Sequence, residues 1–564
     1  MRRTLAPLSA AAFFLRNPPG ASPASLRSRA QPVNFSDKEF TAILEAAADF
    51  IDYRSGQYFA KRASKPASGA GSALRLLNPS TIPPWAVGLR RMLSALADFE
   101  FSSKQGRPLE TLCEFGARYG LQELEAAIAP KLLALVSQKA KRRLKRDLQR
   151  ILERGTRPCL ELERTSYNLA LAAIGLQEKT TDPKFVDRKF LGEKPSERLF
   201  SVFRKFPVLS RLWFQLISQW CDQVTELLVR LAADRRALSH AFLGGQPVGQ
   251  IVDLRCGLSD RHNKGRAVML LQFAAGSLIY KPRPGDGEWE WFSFLHGMNG
   301  RSFHPKLKAA RVLRREGYCW MEWIESSSCE DKPAARRFYR RLGGIISAAY
   351  LLRAADCHRE NVIASGEDPV LIDAEVLWNL SLETKVQTPV DLLYRTGFLP
   401  GSNRRCLQSR SSVLGNAITG QHLPRIRAKS LSAAQYEREI VDGFSLAWRC
   451  VLGTRNRRAA FVRRLERICS RKRRWIYRPT ETYAAIARAA IQPAAVRSGI
   501  ERELLLARLC SRRTVPSAVI HAEIDALKRL DIPYFVRRIK ERSPPDKSIA
   551  PAEVIEALRR ALDS

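Results

Sequence analysis

Residues 356 to 375 contain a dense group of side chains that could carry out phosphate chemistry. The group comprises Asp356, His358, Glu360, Asn361, Asp373 and Glu375. A nucleoside triphosphate needs Mg²⁺ held by oxygen ligands, and a hydroxyl nucleophile needs a carboxylate close by. We therefore predict that Asn361 and Asp373 bind Mg²⁺ and that Asp356 acts as the base.

The elements around these residues support that prediction. Between Asn361 and Asp373 the sequence reads V-I-A, then a turn S-G-E-D-P, then V-L-I, which predicts a short β-hairpin. An Asp, an Asn five residues later and a hairpin that returns a second Asp is the layout of the catalytic loop and metal-binding Asp of protein kinases. The alternative is that single acids here are solvated loop charges or helix caps.

A second hairpin is predicted upstream, over residues 266–283. Two apolar stretches flank an Ala-Gly-Ser turn, and Lys281 and Arg283 follow the second stretch. Pro282 cannot donate to a strand ladder, so the strand should end there, with both basic side chains at its rim. We predict that Lys281 binds phosphate, against the alternative of a solubilising lysine on an edge strand.

A polar turn precedes this hairpin. It reads D-R-H-N-K-G-R at residues 260–266 and stands where a phosphate-binding loop would enter the strand. It lacks the G-x-G-x-x-G pattern, so the pattern alone is a weak signal.

Ten blocks together resemble the dehydratase domain of class II lanthipeptide synthetases, the LanM family. They extend from about residue 190 to 540 in family order, and they are F-P-V-L-S-R-L (206–212), D-x-H-N-x-G-R (260–266), Y-K-P-R (280–283), Y-C-W-M-E-W-I-E (318–325), D-x-H-x-E-N (356–361), P-V-L-I-D-x-E (369–375), R-T-G-F-L-P (395–400), V-D-G-F (441–444), R-W-I-Y-R-P-T (474–480) and D-I-P-Y-F (531–535). The family usually has an apolar residue at the place of Cys357 and L-E-T at the place of 374–376, but the charged positions agree.

The resemblance implies a two-step reaction on a precursor peptide. ATP and Mg²⁺ phosphorylate Ser and Thr, and the same site eliminates the phosphate to leave dehydroalanine or dehydrobutyrine. Phosphate is a better leaving group than hydroxide, so elimination then needs a base for the Cα proton and cations for the departing phosphate.

The resemblance also implies roles for individual residues. Lys281 orients phosphate with Arg283 beside it; Asp356, His358 and Asn361 form the phosphoryl-transfer loop; Asp373 and Glu375 act with Mg²⁺ and ATP; Asp260 and His262 act in elimination; Arg474 and Thr480 contact the leaving phosphate. Arg478 could compete with Arg474, which on sequence alone reads as a solvated charge in a basic run.

Periodicity and the resemblance together predict an α+β fold with a protein- or lipid-kinase-like bilobal core. The predicted parts are a flexible tail (1–35), a helical N-terminal region (36–245), a β-rich N-lobe (246–330) and a mainly helical C-lobe (331–564) that carries a lid at 380–430. A loop is predicted at 65–84, and a helix is predicted to lead into Asp356.

Partners and location follow from the same resemblance and from composition. The chain lacks paired Cys and His at zinc-site spacing, so we expect no zinc and expect dehydration without cyclisation, with a separate cyclase as a possible partner. Scattered cysteines and ATP use indicate the cytoplasm, although the N-terminus faintly resembles a signal peptide. Cys357 is expected to be a small buried thiol and not a nucleophile.

The formal net charge of +38 indicates an acidic binding partner. The sequence contains no nucleic-acid-binding motif, which favours an acidic leader segment of the precursor over nucleic acid. It also contains no apolar run that could span a membrane. Two other functions stay open: a kinase-like phosphotransferase without elimination, and a non-catalytic scaffold that binds peptide or nucleic acid.

Overall fold

The computed structural model describes residues 36–49, 84–101, 107–173, 183–377, 389–399, 413–414, 420–427, 429–469, 472–511, 515–538 and 551–563. The predicted tail at 1–35, nearly all of the predicted loop at 65–84 and much of the predicted lid at 380–430 lie outside these residues. The described chain mixes helices with antiparallel strands, which confirms the α+β class. The kinase-like bilobal arrangement stays a prediction.

The helices, in chain order, are α1 (Asp37–Ala47), α2 (Pro84–Ala97), α3 (Pro108–Ala127), α4 (Pro130–Leu133), α5 (Gln138–Ala173), α6 (Pro183–Leu191), α7 (Pro195–Lys205), α8 (Pro207–Phe242), α9 (Asp286–Asn299), α10 (Lys332–Leu351), α11 (Pro389–Arg395), α12 (Glu437–Leu452), α13 (Arg455–Cys469), α14 (Thr480–Ala489), α15 (Gly499–Cys510), α16 (Ser517–Lys528) and α17 (Pro551–Asp563). None of the helices in the described ranges combines the length and apolar character needed to cross a membrane.

The strands are β1 (Asp253–Arg255), β2 (Met269–Phe273), β3 (Gly276–Lys281), β4 (Val312–Arg315), β5 (Tyr318–Glu322), β6 (Val362–Ser365), β7 (Asp368–Leu371), β8 (Arg425–Ile426), β9 (Lys429–Ser430), β10 (Lys472–Trp475) and β11 (Phe535–Arg538). The two apolar stretches predicted around the Ala-Gly-Ser turn are therefore strands. So are the two arms of the hairpin predicted between Asn361 and Asp373.

Backbone contacts divide the chain into two compact units, each built from separate stretches of sequence. The first unit combines the described residues up to Arg235 with residues 249–274 and 480–533. The second unit combines residues 236–248, 275–479 and the described residues from Tyr534 onward. The predicted domains were continuous stretches, and their boundaries stay predictions.

The first unit is mostly helical, and its helices pack by burying an apolar face. On α5, Ala140, Leu144, Leu148 and Leu152 recur every fourth residue and are all buried, whereas charged residues occupy the outer face. The Trp213 indole donates to the Thr156 hydroxyl at 2.8 Å, which satisfies a polar group in this interior. The short pair β1–β2 is antiparallel, with Leu254 opposite Leu271.

The second unit contains the antiparallel ladder β3–β5–β4. Tyr280 on β3 and Leu313 on β4 both lie opposite Trp320 of the middle strand. Helix α9 follows β3 directly, although residues 246–330 were predicted to be β-rich. The strand and the helix are separated only by P-R-P-G, which stops the ladder and frees the chain to turn.

Helices α10 and α12 form the helical part of the second unit. Asp331 caps α10 by accepting from the Ala334 amide, as expected for the predicted helix that leads into Asp356. A Cβ atom at Gly343 would stand 1.9 Å from the carbonyl oxygen of Ile440 on α12, so only glycine permits this close crossing. The last turns of α10 are buried, which fixes the segment that follows it.

The C-terminal region, predicted to be mainly helical, also contains a strand pair that was not predicted. Strands β10 and β11 pair antiparallel, with Arg474 opposite Val536. Because the partner strand lies about sixty residues further along the chain, neither strand had a local hairpin signal.

Candidate active site

Lys281 is the last residue of β3 and lies in the interior of the second unit. Its Nζ is 2.8 Å from Glu288 Oε1 on α9 and donates to the Ile372 carbonyl at 2.7 Å. Burial opposes the charge on Lys281, but the carboxylates of Glu288 and Asp373 outweigh that cost and raise its pKa. Lys281 therefore stays charged and ties β3 to both α9 and the strand exit after β7.

Arg283 connects three carboxylates. Its Nη1 is 2.8 Å from Glu288 Oε1 and 3.0 Å from Glu375 Oε2, and its Nη2 is 2.8 Å from Asp373 Oδ1. The strand ends at Lys281 as predicted, but only 4% and 9% of the surfaces of Lys281 and Arg283 are exposed, so the alternative of a solubilising lysine on an edge strand is wrong. Pairing with several carboxylates is what allows both cations to be buried.

Glu375 anchors a second arginine. Arg474 on β10 contacts Glu375 Oε1, and the Tyr534 hydroxyl donates to Glu375 Oε2 at 3.1 Å. Arg474 lies over the Tyr534 ring, with its Cζ 5.3 Å from the ring centre. The alternative that Arg474 is a solvated charge is wrong, because its side chain is 11% exposed and paired.

Asp356, His358 and Asn361 form one loop after α10. The Asn361 side chain donates to the Asp356 carbonyl at 2.8 Å, and His358 Nε2 lies 3.7 Å from Asp356 Oδ1. His358 Nδ1 accepts from the Glu360 amide at 3.3 Å, and the side-chain nitrogen of Asn361 lies 3.3 Å from His358 Nε2. The loop thus keeps a carboxylate, an imidazole and an amide together.

The backbone at Asp356 is unusual. Its φ of 67° lies in the left-handed region, where residues with a side chain are uncommon and where strain is often found at functional sites. Burial raises the pKa of Asp356, while His358 and Arg474 partly offset this effect. A carboxyl with a raised pKa suits proton transfer better than an ordinary Asp.

The β6–β7 hairpin brings Asn361 and Asp373 to one end of two paired strands. The Ile372 amide donates to the Asn361 carbonyl at 2.8 Å, just before Asp373. Asp373 is half-buried and desolvation opposes its charge, but Arg283, Lys281 and Arg474 together lower its pKa below the ordinary range. Asp373 therefore carries a negative charge at neutral pH.

Helix α9 begins very close to the segment that carries Asp373 and Glu375. A Cβ atom at Gly287 would stand 2.4 Å from the Ala374 carbonyl oxygen and 2.8 Å from Glu375 Cα. Glycine at this position lets the first turn of α9 reach that backbone. Its neighbour Glu288 can consequently pair with Lys281 and Arg283.

The turn at 260–266 is assigned to the first unit, whereas the residues described above belong to the second. Asn263, Lys264 and Gly265 all have positive φ, so their amides curl toward one point. The Asp531 carboxylate accepts the Lys264 amide at 2.7 Å and the Gly265 amide at 2.9 Å. The turn is therefore filled by a carboxylate of the same chain.

His262 belongs to the same turn. Its Nδ1 lies 2.7 Å from the Ile532 carbonyl, which can only accept, so the proton resides on Nδ1. Asp260 is exposed.

Thr480 is the first residue of α14 and is also assigned to the first unit, whereas Arg474 belongs to the second. Arg478, in the same segment, is buried.

Three residues that the sequence reasoning missed take part in these networks: Glu288, Tyr534 and Asp531. Glu288 had a signal, because a strand-end Lys followed by a helix with a Glu in its first turn suggests a kinase-type ion pair. Tyr534 and Asp531 lie in the D-I-P-Y-F block, but nothing local in that block indicates which distant groups they contact.

Metal binding was considered from the donor set. The part of the chain that the structure describes contains no group of three or more His, Cys, Asp or Glu residues placed to hold a metal ion. Both oxygens of Glu375 contact cations or a hydroxyl, so they would have to leave those partners to bind a metal. The buried Oε2 of Glu288 has no hydrogen-bond partner among the described residues.

In chemical terms, the second unit concentrates three cations paired with carboxylates, the carboxyl of Asp356 on a left-handed backbone, and the charged Asp373. A phosphate ester can compete with the neighbouring carboxylates for these cations. A guanidinium group binds phosphate through two N–H donors. The carboxyl of Asp356 can accept a proton from a hydroxyl. The arrangement therefore suits transfer of a phosphoryl group.

Comparison with protein families gives one match. A family model described as "Domain of unknown function (DUF4135)" matches residues 206–421 and 413–538. Together these ranges include every residue discussed above as a candidate for the site.

A comparison with curated proteins gives a relative of known pathway. The chain is 24% identical over 325 residues to the lacticin 481/lactococcin biosynthesis protein LcnDR2 of Lactococcus lactis subsp. lactis. The match includes 49% of this chain and 35% of the relative. The chain thus corresponds to about a third of the length of that relative.

Proposed function

The chain belongs to the DUF4135 family, and from that premise we propose that it is a peptide dehydratase of the lanthipeptide synthetase type. The similarity to a lacticin 481/lactococcin biosynthesis protein supports a role in lanthipeptide modification. In the proposed reaction, Ser and Thr of a precursor peptide are phosphorylated with ATP and then lose phosphate to give dehydroalanine or dehydrobutyrine.

The observation that carries the proposal is the connected group around Arg283. Lys281 pairs with Glu288 at 2.8 Å, and Arg283 pairs with Glu288 and Asp373, both also at 2.8 Å. A strand Lys paired with a helix Glu, beside an Asp that follows a hairpin, is the arrangement that protein kinases use for ATP. This supports a phosphotransferase site without relying on the relative.

In the proposed first step, Asp356 takes the proton of the peptide hydroxyl. The hydroxyl oxygen attacks the γ-phosphorus of ATP, and ADP leaves. His358 and Asn361 hold Asp356 in place. Lys281 and Arg283 orient the phosphates. In the second step, a base removes the Cα proton, the electron pair forms the Cα–Cβ double bond, and the Cβ–O bond breaks with release of phosphate.

For that second step we propose Asp260 and His262 as the pair that acts on the peptide, and Arg474 and Thr480 as the groups that receive the phosphate. Arg474 suits the role because its pairing with Glu375 outweighs the cost of burial, raises the pKa of the guanidinium and holds the group in a fixed orientation. The elimination role of each of these residues comes from the family resemblance.

The donor chemistry fits Mg²⁺ with ATP in part. Asn361 and Asp373 would hold the ion, since both offer oxygen atoms at one end of the β6–β7 hairpin. The bound ion would neutralise charge on the phosphates. Glu375 suits the positioning of Arg283 and Arg474 better than direct ligation, because its oxygens are already engaged.

The proposal extends to partners and location. The substrate is a precursor peptide, with an acidic leader segment as a match for the +38 charge. Use of ATP places the reaction in the cytoplasm.

A phosphotransferase without elimination is a second candidate. The phosphoryl-transfer residues are joined by contacts within the second unit, whereas Asp260, His262 and Thr480 belong to the first. The contacts that join the phosphoryl-transfer residues support phosphorylation, whereas the elimination roles depend on the family resemblance.

Mass spectrometry of a candidate precursor incubated with ATP and Mg²⁺ tests the proposal. Loss of one water per modified residue is the expected result. Stable added phosphate would support the phosphotransferase instead. An unchanged peptide, together with no ATP use, would contradict both and leave a binding scaffold.

A further inference from the structure

The second unit has a separate cavity of about 520 Å³ between α9 and α13. Its wall carries four arginines, Arg301, Arg463, Arg464 and Arg467, against a single glutamate, Glu466. The volume is within the range of small-ligand pockets, which is about 300–1,000 Å³. None of these residues contributes to the cluster around Arg283.

Arg464 is fixed in the wall. Its Nη2 donates to Ser293 Oγ at 2.6 Å, its Nε lies 3.7 Å from Glu290 Oε2, and its Cζ stands 5.4 Å from the centre of the Phe294 ring. A guanidinium held this way on an aromatic ring is pre-organised to receive an anion at low entropic cost.

Arg301 and Arg463 add positive charge that carboxylates of the described residues do not neutralise. Arg301 and Arg463 have no ion-pair partner within the residues described, and Arg463 is exposed. Burial lowers the pKa of Arg464, Arg467 and Arg301 lower it further, and Glu290 opposes them. An anion in the cavity would relieve this repulsion.

The walls indicate which anion. Single-stranded nucleic acids bind through bases stacked on accessible aromatic rings. The two aromatic rings here, Phe294 and Phe461, are only 3% and 2% exposed, and their centres lie 5.9 Å apart. With no ring surface offered to a base, carboxylate groups on a flexible chain fit the cavity better than a nucleic acid.

We propose that the cavity between α9 and α13, lined by Arg301, Arg463, Arg464 and Arg467, is a docking site for an acidic peptide segment. It lies outside the proposed reaction centre. As an anchor for the peptide substrate it rests on the proposed function, whereas the binding itself needs neither ATP nor catalysis.

The test is fluorescence anisotropy with a labelled oligoglutamate peptide, at an ionic strength of about 0.15 M, where the Debye length is about 8 Å. The full chain is used without ATP. The double variant Arg463→Glu/Arg467→Glu reverses two exposed charges on the cavity wall and should weaken binding by about tenfold or more.

The matched control is Arg455→Glu/Arg458→Glu. It makes the same change of charge on exposed residues of the same helix, outside the cavity wall. Its affinity for oligoglutamate should fall much less than that of the cavity variant, since neither side chain lines the cavity and exposed charges are screened by salt. Thermal melting confirms that both variants fold.

Equal weakening by the two double variants would overturn the proposal, because it would show a general field and not a site. Unchanged binding by the Arg463→Glu/Arg467→Glu variant would overturn it too. So would an oligothymidine probe that binds more tightly than oligoglutamate and loses affinity in that same variant. Normal site-specific binding with no peptide modification would contradict the proposed function alone.

Discussion

At the scale of single residues, Arg283 is the point on which the candidate site depends. It pairs with Glu288, Asp373 and Glu375, and two of these carboxylates are almost completely buried. A buried ion pair adds little net stability, because desolvation cancels much of the attraction. Removing one partner is costly, however, since the remaining charges stay buried without compensation.

Arg283→Ala should therefore lower the free energy of unfolding by about 3–5 kcal/mol. The control is Arg311→Ala, which removes an exposed pair with Glu322 and should cost less than about 1 kcal/mol. Urea unfolding followed by circular dichroism measures both. Equal effects of the two substitutions would show that the network around Arg283 has no special weight.

Stability should also depend on acid pH. The pKa values of Asp373 and Glu288 are lowered in the folded state, because Arg283 and Lys281 outweigh the effect of burial. A lowered pKa contributes stability that is complete above the ordinary carboxyl pKa of about 4 and is lost as pH falls through the folded value. Unfolding measured from neutral pH downward should show this loss, and Asp373→Asn should reduce its slope. An identical slope in that variant would contradict the assignment.

Cys357 illustrates what residue type alone can predict. The thiol is 1% exposed, and burial raises its pKa well above the ordinary value. It should resist iodoacetamide at about pH 8 in the folded protein and react only after unfolding, as peptide mapping would reveal. Rapid labelling of the folded chain would reopen a nucleophilic role.

At the scale of elements, the hairpins were predictable and the long-range pairings were not. The β2–β3 and β6–β7 segments show short apolar runs separated by turn residues, a signal contained in the sequence itself. Helix α9 was hidden in a region of strands, and β10 and β11 lie too far apart in sequence for a local signal. The candidate residues could be proposed from their types and Glu288 had a local signal after β3, but nothing local in the sequence indicated the contact between Tyr534 and Glu375.

The turn at 260–266 depends on a contact with Asp531, which is also far from it in the sequence. Its carboxylate accepts the amides of Lys264 and Gly265, and Ile532 accepts from His262. Without the carboxylate, two amides of a left-handed turn lose their partner, at a cost of about 1–3 kcal/mol.

Hydrogen exchange should detect that loss. Asp531→Ala is expected to speed exchange at Lys264 and Gly265, and the exposed Asp525→Ala in α16 serves as the control. If protection of the turn is the same in both variants, Asp531 does not hold it.

At the scale of the whole molecule, charge and connectivity matter most. The excess of cations is partly placed on the outer face of α5 and partly around the cavity between α9 and α13, so +38 is not explained by the reaction centre alone. Each compact unit is assembled from distant stretches of chain. Sequence periodicity reports neighbours along the chain, so composition predicts an acidic partner but does not indicate where on the fold such a partner would bind.

Whole-chain activity tests the central claim that the network around Arg283, Glu375 and Arg474 catalyses phosphorylation followed by elimination. The most direct measurement is a mass-spectrometric time course of a precursor peptide with ATP and Mg²⁺, comparing the wild type with Arg474→Ala. The account predicts that the variant accumulates phosphorylated peptide, because the cation that receives the leaving phosphate is gone. Dehydration by the variant at the wild-type rate would contradict the account.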